Sequence, residues 1–291
     1  MRPKIGLVLG GGGSRGIAHI GVLEVLEREN IPIDLIVGTS MGAIIGSLYA
    51  AGVSTADMVE SMKTMQGTNV FSMNLFSARA RQRAVEQQLA PALRGKTFSD
   101  LRIPTVVTAV DMLHGEEVAL HQGEVLPAVL ASSAVPAVFP AVEIDGKQLA
   151  DGGVIDSLAT HVAFSHGVDR VIAVDIYPEL EKDNPWIDPL SAIMGFQLPF
   201  NIFANVPRSK LPSMLTSMWR SFRVMVWNLH QERLERHPPD VLLRPEVNNY
   251  GSLDFKDVTG PLLAGRAEAE HHVEAMKALL TSSPRSLENY N

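Results

Sequence analysis

Residues 38–42, with the sequence GTSMG, constrain the fold of this chain more than any other feature. They follow the apolar run 33–37 and precede a run of helical character, 43–51. A G-x-S-x-G sequence between a strand and a helix is typical of a nucleophile elbow, in which a sharp turn exposes the serine hydroxyl and glycines let the strand and helix pass closely. The pattern predicts strand, turn and helix, with Ser40 as the nucleophile and Gly38 and Gly42 as supporting residues. Taken alone, it also fits an ordinary turn.

A second glycine-rich turn lies upstream at residues 10–16, GGGGSRG, between the apolar run 5–9 and a helical run, 17–28. Consecutive glycines expose backbone N–H groups, which at a helix N-terminus bind a phosphate or the oxyanion formed when a serine attacks an ester. Gly11, Gly13 and Gly16 also fit the dinucleotide fingerprint G-x-G-x-x-G. That fingerprint needs an acidic residue at the end of the second strand, where this chain has the serine turn. The two turns together favour acyl transfer.

A third turn supplies a candidate base. Asp145-Gly146 between two short alternating runs, 142–144 and 148–150, predicts a β-hairpin whose second arm leads to Asp151. A serine hydroxyl needs a base within roughly 2.6 to 3.2 Å, and a partly desolvated carboxylate can serve. Gly152 and Gly153 follow Asp151 and permit its close approach to the serine. By itself, the D-G-G sequence also fits a simple turn.

Several other polar residues remain alternatives. Asp111 ends the predicted strand 104–110 and is a weaker candidate for the base than Asp151. His161 and His166 lie on a helical stretch, 158–166, and leave open a triad in the order Ser, Asp, His. Arg15 is expected to be an ordinary surface arginine at a helix start; the alternatives are that it steadies the glycine turn or attracts an anionic head group. His19 is expected to pack on its helix.

With these turns in place, the chain resembles the patatin-like phospholipases of the bacterial type. The resemblance rests on four segments in the family's order within residues 5–176: 11–16 (GGGSRG), 38–42 (GTSMG), 131–140 (ASSAVPAVFP) and 151–153 (DGG). Residues 240–245 and 252–255 resemble the family's closing strand and helix. The resemblance implies a serine lipid acyl hydrolase with a Ser-Asp dyad and no catalytic histidine, on a three-layer α/β/α fold with a mostly parallel central sheet.

The resemblance also implies a role for each site residue and a substrate. Ser40 and Asp151 form the implied dyad, and a lipid or acyl ester is the implied substrate. The remaining residues are the oxyanion donors Gly11, Gly12 and Gly13 and the supporting residues Arg15, Gly16, Gly38, Gly42, Gly152 and Gly153.

Composition excludes several function classes. The formal charge of −7 and the pI near 5.7 argue against a nucleic-acid footprint, which needs a basic face. Without cysteines there are no disulfides, thiolate metal sites or cysteine nucleophile, which fits the cytoplasm.

His271 and His272 lie near Glu268 and Glu270, but no second ligand cluster supports them, so neither metal nor cofactor is expected. The apolar run after the basic N-terminus is too short for a signal peptide, and no run of 18 apolar residues occurs.

The 291 residues are expected to form a single domain: a motif-bearing core (1–180), a lid or contact segment (181–239), and a closing strand and helix (240–281). Residues 186–230 hold seven of the chain's 17 aromatic residues, including all three tryptophans. They also carry Arg208, Lys210, Arg220 and Arg223 against Asp188, a local charge of +3. The helical run 213–236 is therefore interpreted as a core helix, a lid, a membrane-docking face or a homo-oligomer contact. A docking face would bring the protein to the inner membrane surface.

Other predicted elements are the helical stretch 55–93 with a break at 67–72, an edge hairpin of strands 104–110 and 117–120, the helix 124–131, the strands 170–176 and 240–243, the helix 258–280 and a polar tail from 282. The function that fits best is hydrolysis of lipid esters by a phospholipase, lysophospholipase or esterase. The alternatives are a regulatory or scaffold protein of the same fold with weak hydrolase activity and, third, a nucleotide-binding oxidoreductase.

Overall fold

The computed structural model describes residues 2–67, 77–136, 138–180, 214–252 and 255–281. Within these ranges the chain forms one sheet of eight strands. The strands are β1 (Ile5–Leu9), β2 (Leu35–Thr39), β3 (Thr105–Asp111), β4 (Glu116–Leu120), β5 (Val142–Ile144), β6 (Lys147–Asp151), β7 (Arg170–Val174) and β8 (Val241–Leu243). Each strand overlaps a run for which the sequence predicts a strand, and the ends differ by at most two residues.

The sheet is parallel through its centre and antiparallel at one side. Strands β3, β2, β1, β7 and β8 lie side by side in that order and are parallel to their neighbours. Strands β4 and β6 both pair with β3 in antiparallel orientation, and β5 pairs with β6. The mostly parallel sheet predicted from the sequence is confirmed.

Only the second strand of the predicted edge hairpin, β4, lies at an edge of the sheet. Val107 of β3 pairs with Gly38 on one side and with Leu120 of β4 on the other, so β3 is an interior strand. In the part of the chain that the structure describes, β4 pairs with β3 alone. The β-branched composition of β3 could not distinguish these positions, because interior and edge strands both favour such residues.

Nine α-helices fall within the described ranges. They are α1 (Ala18–Arg28), α2 (Met41–Ala50), α3 (Thr55–Gly67), α4 (Ala78–Leu93), α5 (Val125–Ser132), α6 (Thr160–Ser165), α7 (Met214–Arg236), α8 (Thr259–His271) and α9 (Val273–Leu279). The predicted helix 258–280 is divided into α8 and α9 at His272, whose backbone leaves the helical region (φ −103°, ψ 8°). The predicted break at 67–72, apart from Gly67, and the tail from 282 lie outside the described residues.

The helices cover both faces of the sheet. Ile5, Leu7 and Leu9 of β1 point to one face, into a buried cluster shared with α1, α2, α3 and α5. Val8 points to the other face, into a cluster with residues of α6 and with Leu234 of α7 packed against it. This alternation along a strand that is buried on both faces gives the three-layer α/β/α architecture.

Helix α7 confirms the helix predicted for residues 213–236 over its described part, Met214–Arg236, but corrects the expected position of one basic residue. Arg223 is buried, 9% exposed; its guanidinium donates to the Glu179 carbonyl (3.1 Å) and lies 5.6 Å from the centre of the Tyr177 ring. It therefore faces the protein and not a lipid head group.

Residues 186–213, with Arg208 and Lys210, lie outside the described ranges. No helix within those ranges is both long and apolar enough to cross a bilayer.

Candidate active site

Ser40 occupies a strained turn at the carboxyl end of β2. Its backbone has φ 54° and ψ −119°, a region that non-glycine residues rarely adopt, and α2 begins at the next residue. The turn requires Gly42, since a Cβ there would lie 2.0 Å from the Leu9 carbonyl oxygen. Gly38 supports the turn from the strand side, where a Cβ would lie 2.6 Å from Ala43 Cα. The local geometry is that of a nucleophile elbow.

Asp151 reaches Ser40 because one strand holds both of their segments. Thr39, the last residue of β2, pairs with Thr108 of β3, and Asp151, the last residue of β6, pairs with Ala109 on the same side of β3. Two adjacent residues of β3 therefore pair with the last residue of β2 and the last residue of β6. The Ser40 hydroxyl donates to Asp151 Oδ2 over 2.6 Å. Two residues far apart in the chain therefore meet at hydrogen-bonding distance.

The environment of Asp151 strengthens it as a base. Burial raises the pKa of Asp151 to about 6, while hydrogen bonds from the Ser40 hydroxyl and the Gly153 amide (2.8 Å to Oδ1) limit the rise. A carboxylate with a pKa near 6 is ionised at neutral pH and more basic than a solvated one. Gly152 and Gly153 begin a short 3₁₀ helix, Gly152–Val154, directly after Asp151.

The glycine turn lies beside Ser40. An ideal Cβ on Gly11 would be 3.2 Å from Ser40 Cβ, and Gly13 lines the same cleft as Ser40. The Gly11 amide, however, donates to the Ser157 carbonyl (2.8 Å), which differs from the expectation that it faces the oxyanion. Among the residues that the structure describes, the Gly12 and Gly13 amides have no acceptor, so they are the available donors.

The turn is held in place by buried polar side chains. Gly13 has φ 64°, and a Cβ there would lie 1.8 Å from the Ser252 carbonyl oxygen. Arg15 is buried and donates to Ser252 Oγ (3.1 Å) and, over 3.4 Å, to the Gly12 carbonyl. Arg15 is therefore not the surface arginine that the sequence suggested, and of the two alternative roles these contacts fit steadying the turn. Gly16 is buried in the 3₁₀ helix Gly13–Ile17 that precedes α1.

Two side chains near the site were not anticipated from the sequence. His19, expected to pack on its helix, lies under the glycine turn, where Nε2 donates to the Gly10 carbonyl (2.8 Å). Burial lowers the pKa of His19 to about 4, so the ring is neutral. Ser132 Oγ accepts the Ser40 amide (2.8 Å) and so fixes the backbone of the nucleophile. Its place in the ASSAVPAVFP segment was the only signal that could have indicated it.

The alternative candidates do not meet Ser40. His161 lies between Asp156 and Glu117, 3.5 Å from each; burial lowers its pKa, but the two carboxylates raise it to about 9. A protonated imidazole cannot accept the serine proton. His166 Nδ1 bonds the Val162 carbonyl (2.7 Å). In the described residues, neither histidine has a hydrogen bond to Ser40 or Asp151, so the geometry does not support a triad.

Asp111 closes a turn instead of facing the serine. Its carboxylate bonds His114 (2.7 Å) and the Leu113 amide (3.0 Å). The hydrogen bond from His114 holds the pKa of Asp111 below its usual range. A carboxylate engaged in this way is a weaker base than Asp151.

One group of side chains has the composition of a metal site. Glu117, Asp156 and His161 each offer a ligand atom, all within 4.8 Å of one another. Arg233 Nη1 already lies among them, 2.8 Å from Glu117 Oε2 and 3.1 Å from Asp156 Oδ2. Because a guanidinium supplies the positive charge there, the group is an ion-pair network and a poor site for a metal ion.

Ser40 opens into a cleft with mainly apolar walls. The cleft contains about 550 Å³ of empty space, its open mouth included. Its lining side chains are Ser40, Met41, Ile44, Gln82, Val85, Leu130, Ser133, Val135, Phe139 and Phe255, with Gly13. Hydrocarbon walls beside a buried serine and carboxylate suit an acyl ester.

The chain is similar in sequence to proteins described as phospholipases. The sequence model described as "Patatin-like phospholipase" matches residues 7–164. The protein named "Lysophospholipase nte1" of Emericella nidulans is 29% identical over 284 residues, covering 94% of this chain and 18% of that protein. The protein of the same name from Neurospora crassa is 31% identical over 262 residues, covering 87% and 17%. This chain thus spans under a fifth of the length of these relatives.

Among solved structures, the crystal structure of VipD from Legionella pneumophila is similar, with a TM-score of 0.53. The two sequences are 14% identical, and the match covers 94% of this chain and 67% of that one. At such low identity the likeness shows a shared fold. It agrees with the three layers described above.

Proposed function

This chain belongs to the patatin-like phospholipase family, whose model covers residues 7–164 of its 291, and on that basis we propose that it is a serine lipid acyl hydrolase with a Ser40–Asp151 dyad. The family and the fold predicted from the sequence are confirmed. The assignment of this chain to the bacterial type of the family stays a prediction, since the relatives above are fungal. The observation that carries the proposal is the 2.6 Å hydrogen bond between Ser40 and Asp151, at an apolar cleft beside the glycine turn.

The reaction would proceed in two acyl-transfer steps. Ser40 Oγ attacks the acyl carbonyl carbon as Asp151 takes the hydroxyl proton, and the amides of Gly12 and Gly13 stabilise the oxyanion. The tetrahedral intermediate collapses, and the leaving alcohol receives the proton from Asp151. Water then attacks the acyl-enzyme and gives its proton to Asp151. Collapse of the second intermediate releases the carboxylic acid and returns the proton to Ser40.

The substrate class follows from the walls of the cleft. The side chains of Met41, Ile44, Val85 and Leu130 offer an acyl chain a hydrocarbon surface, and burying each CH₂ is worth roughly 0.8 kcal/mol. An ester with a long acyl chain gains more from such a surface than a short one. The relatives named lysophospholipase add support for a phospholipid or lysophospholipid ester.

A fluorophosphonate probe with mass-spectrometric mapping tests the nucleophile. Such probes phosphonylate a serine that has a base and oxyanion donors, so Ser40 is the expected site. Ser40→Ala should abolish labelling and hydrolysis of a p-nitrophenyl acyl ester, and Ser165→Ala is the matched control on a helix away from the cleft. Labelling that persists in Ser40→Ala would refute the assignment. Lipid profiling of the two variants then identifies the substrate and separates an enzyme from a scaffold protein.

We also propose that α7 contacts a membrane surface. Met214, Met218, Phe222 and Met225 are 79%, 59%, 40% and 64% exposed, and their spacing of four, four and three residues puts them on one face. A row of exposed large apolar side chains on one helix suits the lipid interface, and the substrate proposed here resides in membranes.

Vesicle co-sedimentation tests this contact with lipid. Met218→Ser with Phe222→Ser should weaken binding to phosphatidylcholine–phosphatidylglycerol vesicles and lower activity on them, while hydrolysis of a soluble short-chain ester stays unchanged. Asn228→Ser, an exposed polar change on the same helix, is the control. If the double variant binds vesicles as well as wild type does, α7 is not the docking element; if the wild-type protein dimerises and the variant does not, the face is a homo-oligomer contact.

The single-domain organisation, with a core, a contact segment at 181–239 and a closing segment at 240–281, remains a proposal. Two contacts support it. Strand β8 joins the same sheet as the core strands by pairing with β7, and α8 packs along α1. Urea denaturation followed by circular dichroism and by tryptophan fluorescence tests it, since a single domain should give one cooperative transition with the same midpoint for both signals.

A further inference from the structure

A buried polar bridge lies behind the glycine turn, away from the acyl cleft. Ser157 Oγ is 3.1 Å from His230 Nδ1, and His230 Nε2 is 3.1 Å from Asp175 Oδ2. The three residues are 3%, 3% and 7% exposed. The composition is that of a hydrolytic triad, but Ser157, unlike Ser40, does not line the cleft in which the acyl ester is proposed to bind. The acyl-transfer steps above use none of the three, so the bridge needs another explanation.

Both ends of the bridge adjoin the backbone groups that hold the glycine turn. The Ser157 carbonyl accepts the Gly11 amide at 2.8 Å, so one residue contacts His230 with its side chain and the turn with its backbone. At the other end, the carbonyl of Val174, the residue before Asp175, accepts the Gly10 amide at 3.1 Å. His230 therefore ties together the two supports on which residues 10 and 11 rest.

At its other end the bridge contains an ionised carboxylate, that of Asp175. Burial raises the pKa of Asp175, but the hydrogen bonds from His230 and the Tyr177 amide and the charge of Arg244 outweigh it and lower the pKa overall. The carboxylate is thus ionised and accepts from His230 Nε2. An ionised buried partner makes this a strong hydrogen bond, which favours one fixed position of the imidazole ring.

Helix α7 holds the same loop at a second, adjacent point. Arg233, one turn after His230, donates to Asp156 Oδ2 at 3.1 Å. Asp156 in turn accepts the Leu158 amide at 2.9 Å. The helix thus contacts two consecutive residues, Asp156 and Ser157, that lie five and six positions after Asp151. Helix α7 therefore fixes the segment after Asp151, which in turn supports the glycine turn.

We propose that His230 is a positioning residue for acyl transfer: through Ser157 and Asp175 it fixes the glycine turn, and so aims the Gly12 and Gly13 amides at the oxyanion. This inference rests on the function proposed above. Because His230 touches neither the acyl cleft nor Ser40, it acts on the transition state and not on binding of the substrate. It lies outside residues 7–164, so the family match alone could not have indicated it.

Steady-state kinetics of α7 variants on a soluble short-chain ester test the inference. His230→Leu should lower kcat about 10- to 100-fold, less than or similar to the loss of one oxyanion donor, with KM changed by less than about twofold. His230→Gln keeps a donor and an acceptor and should recover part of kcat. Ser157→Ala removes the hydroxyl but keeps the carbonyl that holds Gly11, and should lose kcat in the same direction.

Val226→Ala is the matched control. Val226 is buried on α7 one turn before His230, and its hydrocarbon side chain can make no hydrogen bond to the bridge, so the variant should lower Tm and leave kcat unchanged. Hydrogen–deuterium exchange of the peptide covering residues 10–16 gives a readout that does not depend on activity. Its amides should exchange faster in His230→Leu than in wild type or Val226→Ala.

The outcomes decide between the proposals. A folded His230→Leu with kcat within about threefold of wild type and unchanged exchange overturns the positioning role, as does an equal loss of kcat in Val226→Ala. If His230→Leu does not fold, His230→Gln and Ser157→Ala decide by the same criteria. If wild type hydrolyses no ester, the proposed function fails, and the exchange data alone then show whether the bridge holds the turn.

Discussion

Replacing Asp151 by asparagine should inactivate the protein and at the same time stabilise it. Activity should fall because an amide cannot take the Ser40 proton, and we expect kcat to drop by on the order of 10³ or more. Stability should rise because asparagine resembles the protonated carboxyl, which the buried site prefers to the carboxylate. The two effects have one cause, the removal of a buried negative charge.

The magnitude follows from the pKa of Asp151, which burial raises from 3.8 to about 6. A raised pKa means that the folded state binds the proton more tightly than the unfolded chain does. The resulting stabilisation is fully present below pH 3.8 and is lost as the pH rises through 6. Compared with a carboxyl that stays protonated, Asp151 therefore lowers the free energy of unfolding by about 3 kcal/mol at pH 8 and by about 1 kcal/mol at pH 4.5, where the residue is ionised mainly in the unfolded chain.

Urea denaturation of wild type and Asp151→Asn at pH 8 and pH 4.5, followed by circular dichroism, measures this difference. The variant should be more stable at both pH values, with a gain at pH 8 about 2 kcal/mol larger than the gain at pH 4.5. Asp57→Asn, an exposed carboxyl near the start of α3, is the control and should show no such gain. A gain that is absent at pH 8, or equal at the two pH values, would refute the claim that burial raises this pKa.

Three further predictions concern the same site. For wild type, kcat/KM should fall about tenfold from pH 7 to pH 5 with a midpoint near the Asp151 pKa of about 6, because the base must be ionised; a stopped pH-rate assay that finds no limb there contradicts the assignment of the base. Gly42→Ala should yield little folded or active protein, because its Cβ would lie 2.0 Å from the Leu9 carbonyl oxygen; thermal melts and ester hydrolysis measure this, and a stable, active variant would show that the elbow is not tight. His161→Ala and His166→Ala should each retain kcat within about tenfold of wild type; either variant as inactive as Asp151→Asn would restore the triad hypothesis.

Much of the site could be predicted from the sequence because its chemistry depends on local backbone shape. The GTSMG and GGGGSRG turns need glycine at fixed positions, and the Asp145-Gly146 turn, with positive φ at both residues, sets the hairpin that leads to Asp151. Such requirements are visible in a few consecutive residues. The roles of Ser40 and Asp151 themselves remain predictions that the experiments above test.

What the sequence could not reveal depends on contacts between distant segments. No local pattern shows that the Gly11 amide is taken by the Ser157 carbonyl, or that His230 lies between Ser157 and Asp175, which are 73 and 55 positions away. The local positive charge likewise predicted that Arg223 lies at the surface, whereas Arg223 is on the face of α7 that packs against Tyr177. Sequence spacing fixes which residues share a helix face but not which face meets the protein.

The shared register on β3 has a consequence for how such chains can differ. The nucleophile and the base are 111 positions apart in the chain, but their separation in space is set by the step from Thr108 to Ala109. Insertions in the loops between them would leave that step untouched, so lids or recognition segments could be grafted there without redesigning the chemistry. A single residue added between Thr108 and Ala109 would instead move one strand end by about 3.3 Å against the other and separate the pair. For protein engineering, the loops are therefore open to change, and the length of one seven-residue strand is not.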